Sequence, residues 1–365
     1  MKEIGILTFW NVPNYGTFLQ AYALQKSIAA LDENYDVKQI AYLEPVHHRQ
    51  YYAINNTKFR YGIINPRTYL NIAKRLFSNK IKELKPFLSY YKDFIPCTEP
   101  LTKNDLPAKY FDSVVLGSDI IWDYSIGFFN NDKFLFGDNL NSKNVISYAA
   151  SFGTVKPETV CPEYVKNSLN KLSAISVRDE NSKNLVKNYV NKDSTIVCDP
   201  TILWDFMNDE NIPQVNESKY IIVYGSEFRP EFIKGCVDYA KKNNLQIICL
   251  DSLDDTFDWC DKILKQNELN PFQWLAYFKH AERIFTCTYH GLMFSLIFNK
   301  KTVFSPTQFI MDKASSLIDY LELRPVLVDF NTFEEKADWE WDYNKINAKF
   351  DTLRQASLQF LRDNL

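Results

Sequence analysis

Short apolar runs alternate along this chain with stretches of helical spacing, and that alternation restricts the fold more than any other feature. In the first half, runs at 4–8, 36–43, 113–116, 145–150, 174–177 and 195–198 read as strands. Between them, 17–31 carries Phe18, Leu19, Tyr22, Ala23 and Ile28 at helical spacing, and 182–191 reads the same way. The stretch 44–110 is less regular, with Tyr- and Lys-rich helical patterns punctuated by Pro66, Pro86 and Pro96. A polar segment around 204–218, broken by Pro213, then marks a boundary. The second half restarts with strands at 220–224, 246–250, 283–288 and 302–305 and helices at 230–243 and 271–280. Strand–helix alternation predicts parallel sheets with helices on both faces. At 365 residues the chain exceeds one ordinary core. The fold class expected is therefore α/β, with two Rossmann-like domains facing a central cleft. Their expected bounds are 1–210 and 211–340, with an amphipathic helix over 341–365 packing back on the first domain.

Composition removes several function classes. The net charge of −3 argues against general nucleic-acid binding. Seven cysteines are scattered and form no Cys-x-x-Cys pair, so neither a disulfide framework nor a zinc site is expected and a reducing cytosol is the simplest home. The amino terminus reads as a strand rather than a signal peptide, and no apolar run is long enough to span a membrane. His47 and His48 are adjacent and would not share a helix face, and no metal constellation stands out. There is no G-x-G-x-x-G for a dinucleotide and no G-x-S-x-G for a nucleophilic serine.

Four segments sit where strands give way to helices, which is where open α/β sheets bind ligands. Asn14-Tyr15-Gly16-Thr17 joins the first strand to a helix, where free N–H groups suit an anion; it reads equally as a turn with Thr17 capping the helix. Gly117-Ser118-Asp119 with Trp122 breaks the third strand. Asp119 there suits a sugar hydroxyl and Trp122 a stacking wall, or the segment is a helix cap with a core tryptophan. Arg178 ends the Ile175-Ser-Val run, where a guanidinium suits phosphate or carboxylate, or pairs with Asp179, Glu180 or another surface acid. His290, in Thr288-Tyr289-His290-Gly291 with Ser295 downstream, is the one histidine of four at such a strand end. It suits proton transfer, or is a buried, hydrogen-bonded interface residue. Lys313 follows what reads as a loop and is a weaker candidate.

Taken in order, these segments resemble the polysaccharide pyruvyl transferase family. The matching motifs are Asn14-Tyr15-Gly16 followed by Leu19-Gln20-Ala21-Tyr22-Ala23-Leu24-Gln25, Val115-Leu116-Gly117-Ser118-Asp119 with Trp122, and Ser147-Tyr148-Ala149-Ala150-Ser151-Phe152-Gly153. Ser176-Val177-Arg178, Asp199-Pro200-Thr201 and Tyr289-His290-Gly291 with Phe294-Ser295 complete the series. The sequence departs from the family pattern at Ile120, where Gln is common, at Tyr289, where Phe is frequent, and at Trp10.

The resemblance implies an architecture similar to the GT-B glycosyltransferases. It also implies transfer of a pyruvyl group from phosphoenolpyruvate to two hydroxyls of a sugar in a capsular or other exopolysaccharide precursor. By the same resemblance, Arg178, His290 and Lys313 are catalytic, with Arg178, in the first domain, and His290, in the second, both serving the donor site. Asn14, Tyr15, Gly16, Gly117, Ser118, Asp119, Trp122, Tyr289, Gly291 and Ser295 bind substrate. No metal and no cofactor are implied beyond phosphoenolpyruvate as donor. The acceptor would be a sugar, an oligosaccharide or a lipid-linked glycan, the last bringing the protein peripherally to the inner face of the membrane. A nucleotide-sugar glycosyltransferase and a non-catalytic carbohydrate-binding relative are the alternatives.

Overall fold

The computed structural model describes residues 1–44, 87, 89–127, 132–226, 228–250, 257–266, 268–327 and 332–365. His47, His48 and most of the expected helical patterns between 44 and 110 lie outside the described residues. The chain divides into two compact units, one of Met1–Trp204 with Leu353–Leu365 and one of Asp205–Thr352.

In unit 1, β1 (Lys2–Leu7), β2 (Tyr35–Gln39), β3 (Tyr110–Leu116) and β4 (Asn141–Ser147) form a parallel sheet in the order β2-β1-β3-β4. Leu7 pairs with Leu116, and Leu116 with Ser147, so three strands end level. Helix α1 (Tyr15–Ala29) follows β1 and is buried at every position from Tyr15 to Gln25. A helix so apolar around its circumference belongs inside a core rather than on a surface. Beyond β4 come α2 (Glu163–Lys171), β5 (Ser176–Val177), α3 (Glu180–Val190), β6 (Thr195–Ile196) and α4 (Pro200–Leu203). β5 pairs with β6 and is tied to the β4 side of the sheet by the bridges Ile146–Ala174 and Ala150–Val177. Both strands are shorter than the spacing predicts, because Ala174 and Val197 make only single bridging bonds at their flanks.

Unit 2 holds β7 (Tyr220–Tyr224), α5 (Pro230–Asn243), β8 (Gln246–Leu250), β9 (Lys262–Leu264) and α6 (Pro271–His280). It continues with β10 (Arg283–Thr286), α7 (Tyr289–Ile297), β11 (Lys301–Phe304), α8 (Gln308–Tyr320), α9 (Arg324–Leu327) and α10 (Phe333–Asp338). Its five strands are parallel in the order β11-β10-β7-β8-β9. One face is packed by Phe232, Cys236 and Tyr239 of α5 with Phe285 and Ala337. Each unit is a Rossmann-like α/β domain. The last helix, α11 (Tyr343–Asn364), gives its first half to unit 2 and its second half to unit 1.

Candidate active site

In unit 1, Gly117, Ser118 and Asp119 follow the carboxyl end of β3 and Arg178 that of β5, while Asn14, Tyr15 and Gly16 stand at the start of α1. The chain leaves β3 through Gly117-Ser118, whose peptide bond is cis. Gly117 has φ +123°, and a Cβ there would lie 2.1 Å from the Tyr148 carbonyl oxygen, so no side chain fits. Ser118 faces inward: its N–H and Oγ–H both donate to Gln20 Oε1, at 3.3 and 2.6 Å. The Ser118 carbonyl accepts from Thr8 Oγ1 at 2.9 Å. Gln20 Nε2 in turn donates to the Thr17 carbonyl at 3.0 Å. Ser118 is therefore a bolt between the turn and α1, which corrects its expected place among substrate contacts.

Asp119 follows with φ +76°, its carbonyl accepting from Ser151 N at 2.9 Å. Its Oδ1 lies 3.7 Å from Arg178 Nη2. Arg178 Nη1 donates to Asp199 Oδ2 at 3.0 Å. Asp199 caps α4, its Oδ1 accepting from Thr201 N at 3.1 Å and Thr201 Oγ1 at 2.8 Å. The Arg178 side chain is only 5% exposed, that of Asp199 1% and that of Asp119 11%. One guanidinium thus stands between two carboxylates in a nearly dry setting, where breaking a pair leaves a buried charge and costs roughly 3–5 kcal/mol. Neither acid is the neighbouring Asp179 or Glu180 weighed from the sequence. Asp179 instead caps α3 through Ser182 N (2.7 Å) and accepts from Ser151 Oγ (2.7 Å).

A second brace lies beside this cluster. Asp123 Oδ2 accepts from Thr154 N and Thr154 Oγ1, both at 2.7 Å, and its Oδ1 from Ser125 N and Oγ. A Cβ on Gly153 would sit 2.4 Å from Asp123 Oδ2. The loops after β3 and β4 are thereby stapled together around Asp119. Gln20 and Asp123 are the residues that reading for chemistry missed, since neither stands at a strand end; Gln20 shows only as part of a family motif.

Two aromatic candidates turn out to be core. Trp122 is 0% exposed, its Nε1 donating to the Leu135 carbonyl at 3.0 Å and its ring parallel to Phe136 at 5.8 Å. Tyr15 is likewise buried, 5.0 Å from Phe87. Neither ring face can meet a sugar, because packing has already taken both. Asn14, not Thr17, caps α1, its Oδ1 accepting from Thr17 N at 3.0 Å; Gly16 is buried in the first turn.

In unit 2, Thr288 caps α7, its Oγ1 accepting from Gly291 N at 3.0 Å. His290 sits half-buried in the first turn, its ring 5.3 Å from that of the buried Tyr289 and near perpendicular to it. Thr286 Oγ1 donates to the Tyr224 carbonyl at 2.7 Å and accepts from Thr288 N at 3.1 Å, which fixes how the helix leaves the strand. A Cβ on Gly291 would meet Thr286 Oγ1 at 2.1 Å, so backbone and threonine share a space only glycine leaves open. Ser295 is buried and donates to the Gly291 carbonyl at 2.6 Å, one turn back. It belongs to the helix interior, which corrects its expected substrate role. Lys313 lies on α8 rather than after a loop, its ammonium 4.3 Å over the Phe309 ring. Since β10 and β11 are neighbours, α7 and α8 both start from the same edge of the sheet. Helix amino termini there favour anions.

Among the described residues, no group of three or more His, Cys, Asp or Glu is placed to hold a metal ion, and no helix is long and apolar enough to cross a membrane. Among the described residues, no disulfide joins any of the seven cysteines.

A family model described as polysaccharide pyruvyl transferase matches residues 14–306. The chain belongs to this family. The match runs from the Asn14 cap to the loop after β11, so it takes in Asp119, Arg178, Asp199 and His290 and stops short of Lys313. Comparison with curated proteins gives no match. Among solved structures, this family member is similar to a putative UDP-N-acetylglucosamine 2-epimerase from Listeria monocytogenes, at 10% identity and TM-score 0.50, over 97% of this chain and 91% of the other. A UDP-GlcNAc 2-epimerase from Methanocaldococcus jannaschii (15% identity, TM-score 0.46, 98% and 93% covered) is also similar. So is UGT71G1 of Medicago truncatula, complexed with UDP-glucose (10%, TM-score 0.47, 99% and 98%). At such identities the likeness to the Listeria structure speaks for the fold alone, and for nothing finer.

Proposed function

We propose that the protein transfers the pyruvyl group of phosphoenolpyruvate to two hydroxyls of a sugar, forming a cyclic ketal and releasing phosphate. The observation that carries this reading is the Asp119–Arg178–Asp199 cluster at the strand ends of unit 1, inside the family match. Protonation of the donor methylene makes its central carbon electrophilic. One sugar hydroxyl attacks that carbon, phosphate departs with its bridging oxygen, and the second hydroxyl closes the ring. Of the two hydroxyl protons lost, one balances the new methyl group and the other leaves with phosphate. Asp119, held by Arg178, is assigned to orient and accept a proton from an acceptor hydroxyl. His290, at the start of α7, is assigned to the donor, where helix N–H groups favour its phosphate and the imidazole exchanges the proton. Lys313 on α8 is assigned to the donor's negative charge. The acceptor is proposed to be a precursor of a surface polysaccharide made in the cytoplasm, and a lipid-linked one would bring the protein to the inner face of the membrane.

The burial of Arg178 shapes the test. Arg178→Ala would strand two carboxylates and unsettle the loop, so Asp119→Asn and His290→Ala are the cleaner variants. Phosphoenolpyruvate is expected to raise the melting temperature of the intact protein by mass action. Both variants are expected to lose phosphate release in the presence of acceptor by at least about 100-fold. Stabilisation by a nucleotide sugar and none by phosphoenolpyruvate would overturn the reading in favour of glycosyl transfer.

A further inference from the structure

Beside the Asp119–Arg178 pair, the chain departs from regular strand pairing between β4 and β5. Ser147 N–H donates to the Ala174 carbonyl at 3.1 Å, as a parallel ladder requires. At its next step such a ladder would join Ser176 N–H to the Ser147 carbonyl, and Ala149 N–H to the Ser176 carbonyl. Each of these groups bonds a serine hydroxyl instead. Ser176 N–H donates to Ser147 Oγ at 3.0 Å, and the Ser147 carbonyl accepts from Ser176 Oγ at 2.8 Å. The Ser176 carbonyl accepts from Ser147 Oγ at 2.9 Å, and Ala149 N–H donates to Ser176 Oγ at 3.4 Å. Two hydroxyls thus stand in the place of two ladder bonds. Both serines are 0% exposed, so loss of one hydroxyl leaves buried ladder groups unsatisfied.

The same step carries an extra residue. Bridges join Ile146 to Ala174 and Ala150 to Val177, so the β4 side runs from 146 to 150 while the β5 side runs only from 174 to 177. That mismatch is a β-bulge, a device that re-aims side chains next to active sites. Ala149 within it has φ +50°, in the left-handed region that alanine seldom enters. Ala150 comes next, bridged to Asp119 on one side and to Val177 on the other. Arg178 directly follows Val177, and its Nη2 lies 3.7 Å from Asp119 Oδ1. The placement of Ala150 therefore governs how the guanidinium meets the carboxylate.

We propose that Ser147 and Ser176 are positioning residues for the reaction: their hydroxyls, inserted between β4 and β5, hold the bulge at Ala149 and so set Arg178 against Asp119. The consequence for turnover rests on the pyruvyl transfer reading. The placement of Arg178 does not.

Ser147→Ala, Ser176→Ala, the double variant and Ser176→Thr would be compared with the parent in the full chain. Three quantities would be read: urea unfolding, the rate at which phenylglyoxal labels Arg178 by mass spectrometry, and kcat for phosphate release at saturating phosphoenolpyruvate. The acceptor would be whichever of methyl glucoside, methyl galactoside and methyl mannoside the parent uses. Each single alanine variant is expected to be less stable than the parent. The double variant is expected to recover part of that stability, because the Ser147 carbonyl and Ser176 N–H can then bond directly. Its Arg178 is nevertheless expected to label at least about fivefold faster than in the parent. Its kcat is expected to fall at least about tenfold, as misplacement of a catalytic pair does. Ser176→Thr, which keeps the hydroxyl, is expected to hold kcat within about threefold of the parent whatever its added methyl does to stability. Parent-like labelling of Arg178 in the double variant, or kcat that rises and falls with stability across the set, overturns the proposal. A parent that releases phosphate with none of the three glycosides tells against the pyruvyl transfer reading alone, and the labelling of Arg178 then decides the positioning role.

Discussion

At the scale of single residues, what a side chain touches decides between readings that its sequence position leaves open. Gly291 shows how large the competing terms are. In a helix, Gly→Ala ordinarily stabilises by about 1 kcal/mol, because alanine loses less backbone freedom. Here the added Cβ would lie 2.1 Å from Thr286 Oγ1 and 2.6 Å from Thr288 Oγ1. Thr286 cannot swing away without giving up its bonds to the Tyr224 carbonyl and Thr288 N. Overpacking of this kind costs about 1–3 kcal/mol, and more when the neighbour is pinned. The steric term should win. Gly291→Ala is expected to destabilise the protein by about 1–3 kcal/mol in urea unfolding, and Gly291→Ala with Thr286→Ala to cost less than the sum of the two singles. An alanine variant as stable as the parent would show that Thr286 does not hold the turn before His290. The aromatic residues teach the complementary lesson. Trp122 and Tyr15 sit in motifs as suggestive as that of His290, yet each is sealed in the core. One sequence says that a ring lies near a strand end, not which way it turns.

At the scale of elements, α1 does more than cover the sheet: through Gln20 it holds the Gly117-Ser118-Asp119 turn in place. Gln20→Leu keeps the volume but takes the acceptor from Ser118 N and Oγ, both buried. A buried donor left unsatisfied costs about 1–3 kcal/mol. Since Asp119 is the next residue, the variant is expected to lower kcat for phosphate release more than it raises KM for phosphoenolpyruvate. Gln20→Glu, which keeps an acceptor oxygen, is expected to restore part of kcat. Equal losses of kcat in the leucine and glutamate variants, tracking stability alone, would reduce Gln20 to a packing residue. The elements also show what the sequence makes legible. Helices α5 and α6 match their predicted spans because their ends carry strong chemistry. Pro230 and Pro271 open them, Asn270 forms a capping box with Gln273, and Asn244 closes α5 in the left-handed region. Helix α8 does not show in the sequence, where Lys313 reads as following a loop, because the helix buries only Ala314 and Ile318, too few for an apolar stripe. Strand β9, three half-buried residues at a sheet edge, offers no run long enough to see. The candidate site was legible as far as strand ends go: Asp119, Arg178 and His290 stand where the alternation places them. That Arg178 pairs with Asp199 was not legible, because 21 residues and a whole helix separate them.

At the scale of the whole molecule, the carboxyl-terminal segment closes an argument that begins at Arg178. Leu353–Leu365 belongs with unit 1, although the residues before it belong with unit 2. Ser357 Oγ accepts from Cys198 N at 3.0 Å, and Arg354 Nε donates to the Ile202 carbonyl at 2.7 Å. Those contacts bracket Asp199, the residue that fixes Arg178 and caps α4. Phe360 and Leu361 are buried, and Asn144 Nδ2 donates to the Asn364 carbonyl at 2.7 Å beside β4. The end of the chain thus supports a site built from its first 200 residues. Losing one buried Leu or Phe side chain costs about 2–5 kcal/mol, and truncation after Thr352 removes two together with the bracket around Asp199. That sum is comparable to the whole stability of a typical domain. The truncated protein is therefore expected to lose amide protection across β4, β5, β6 and α4 in hydrogen exchange. The strands β7, β8 and β10 of unit 2 are expected to keep theirs. Uniform protection in both units after truncation would mean that Asp199 and Arg178 hold each other without help from α11.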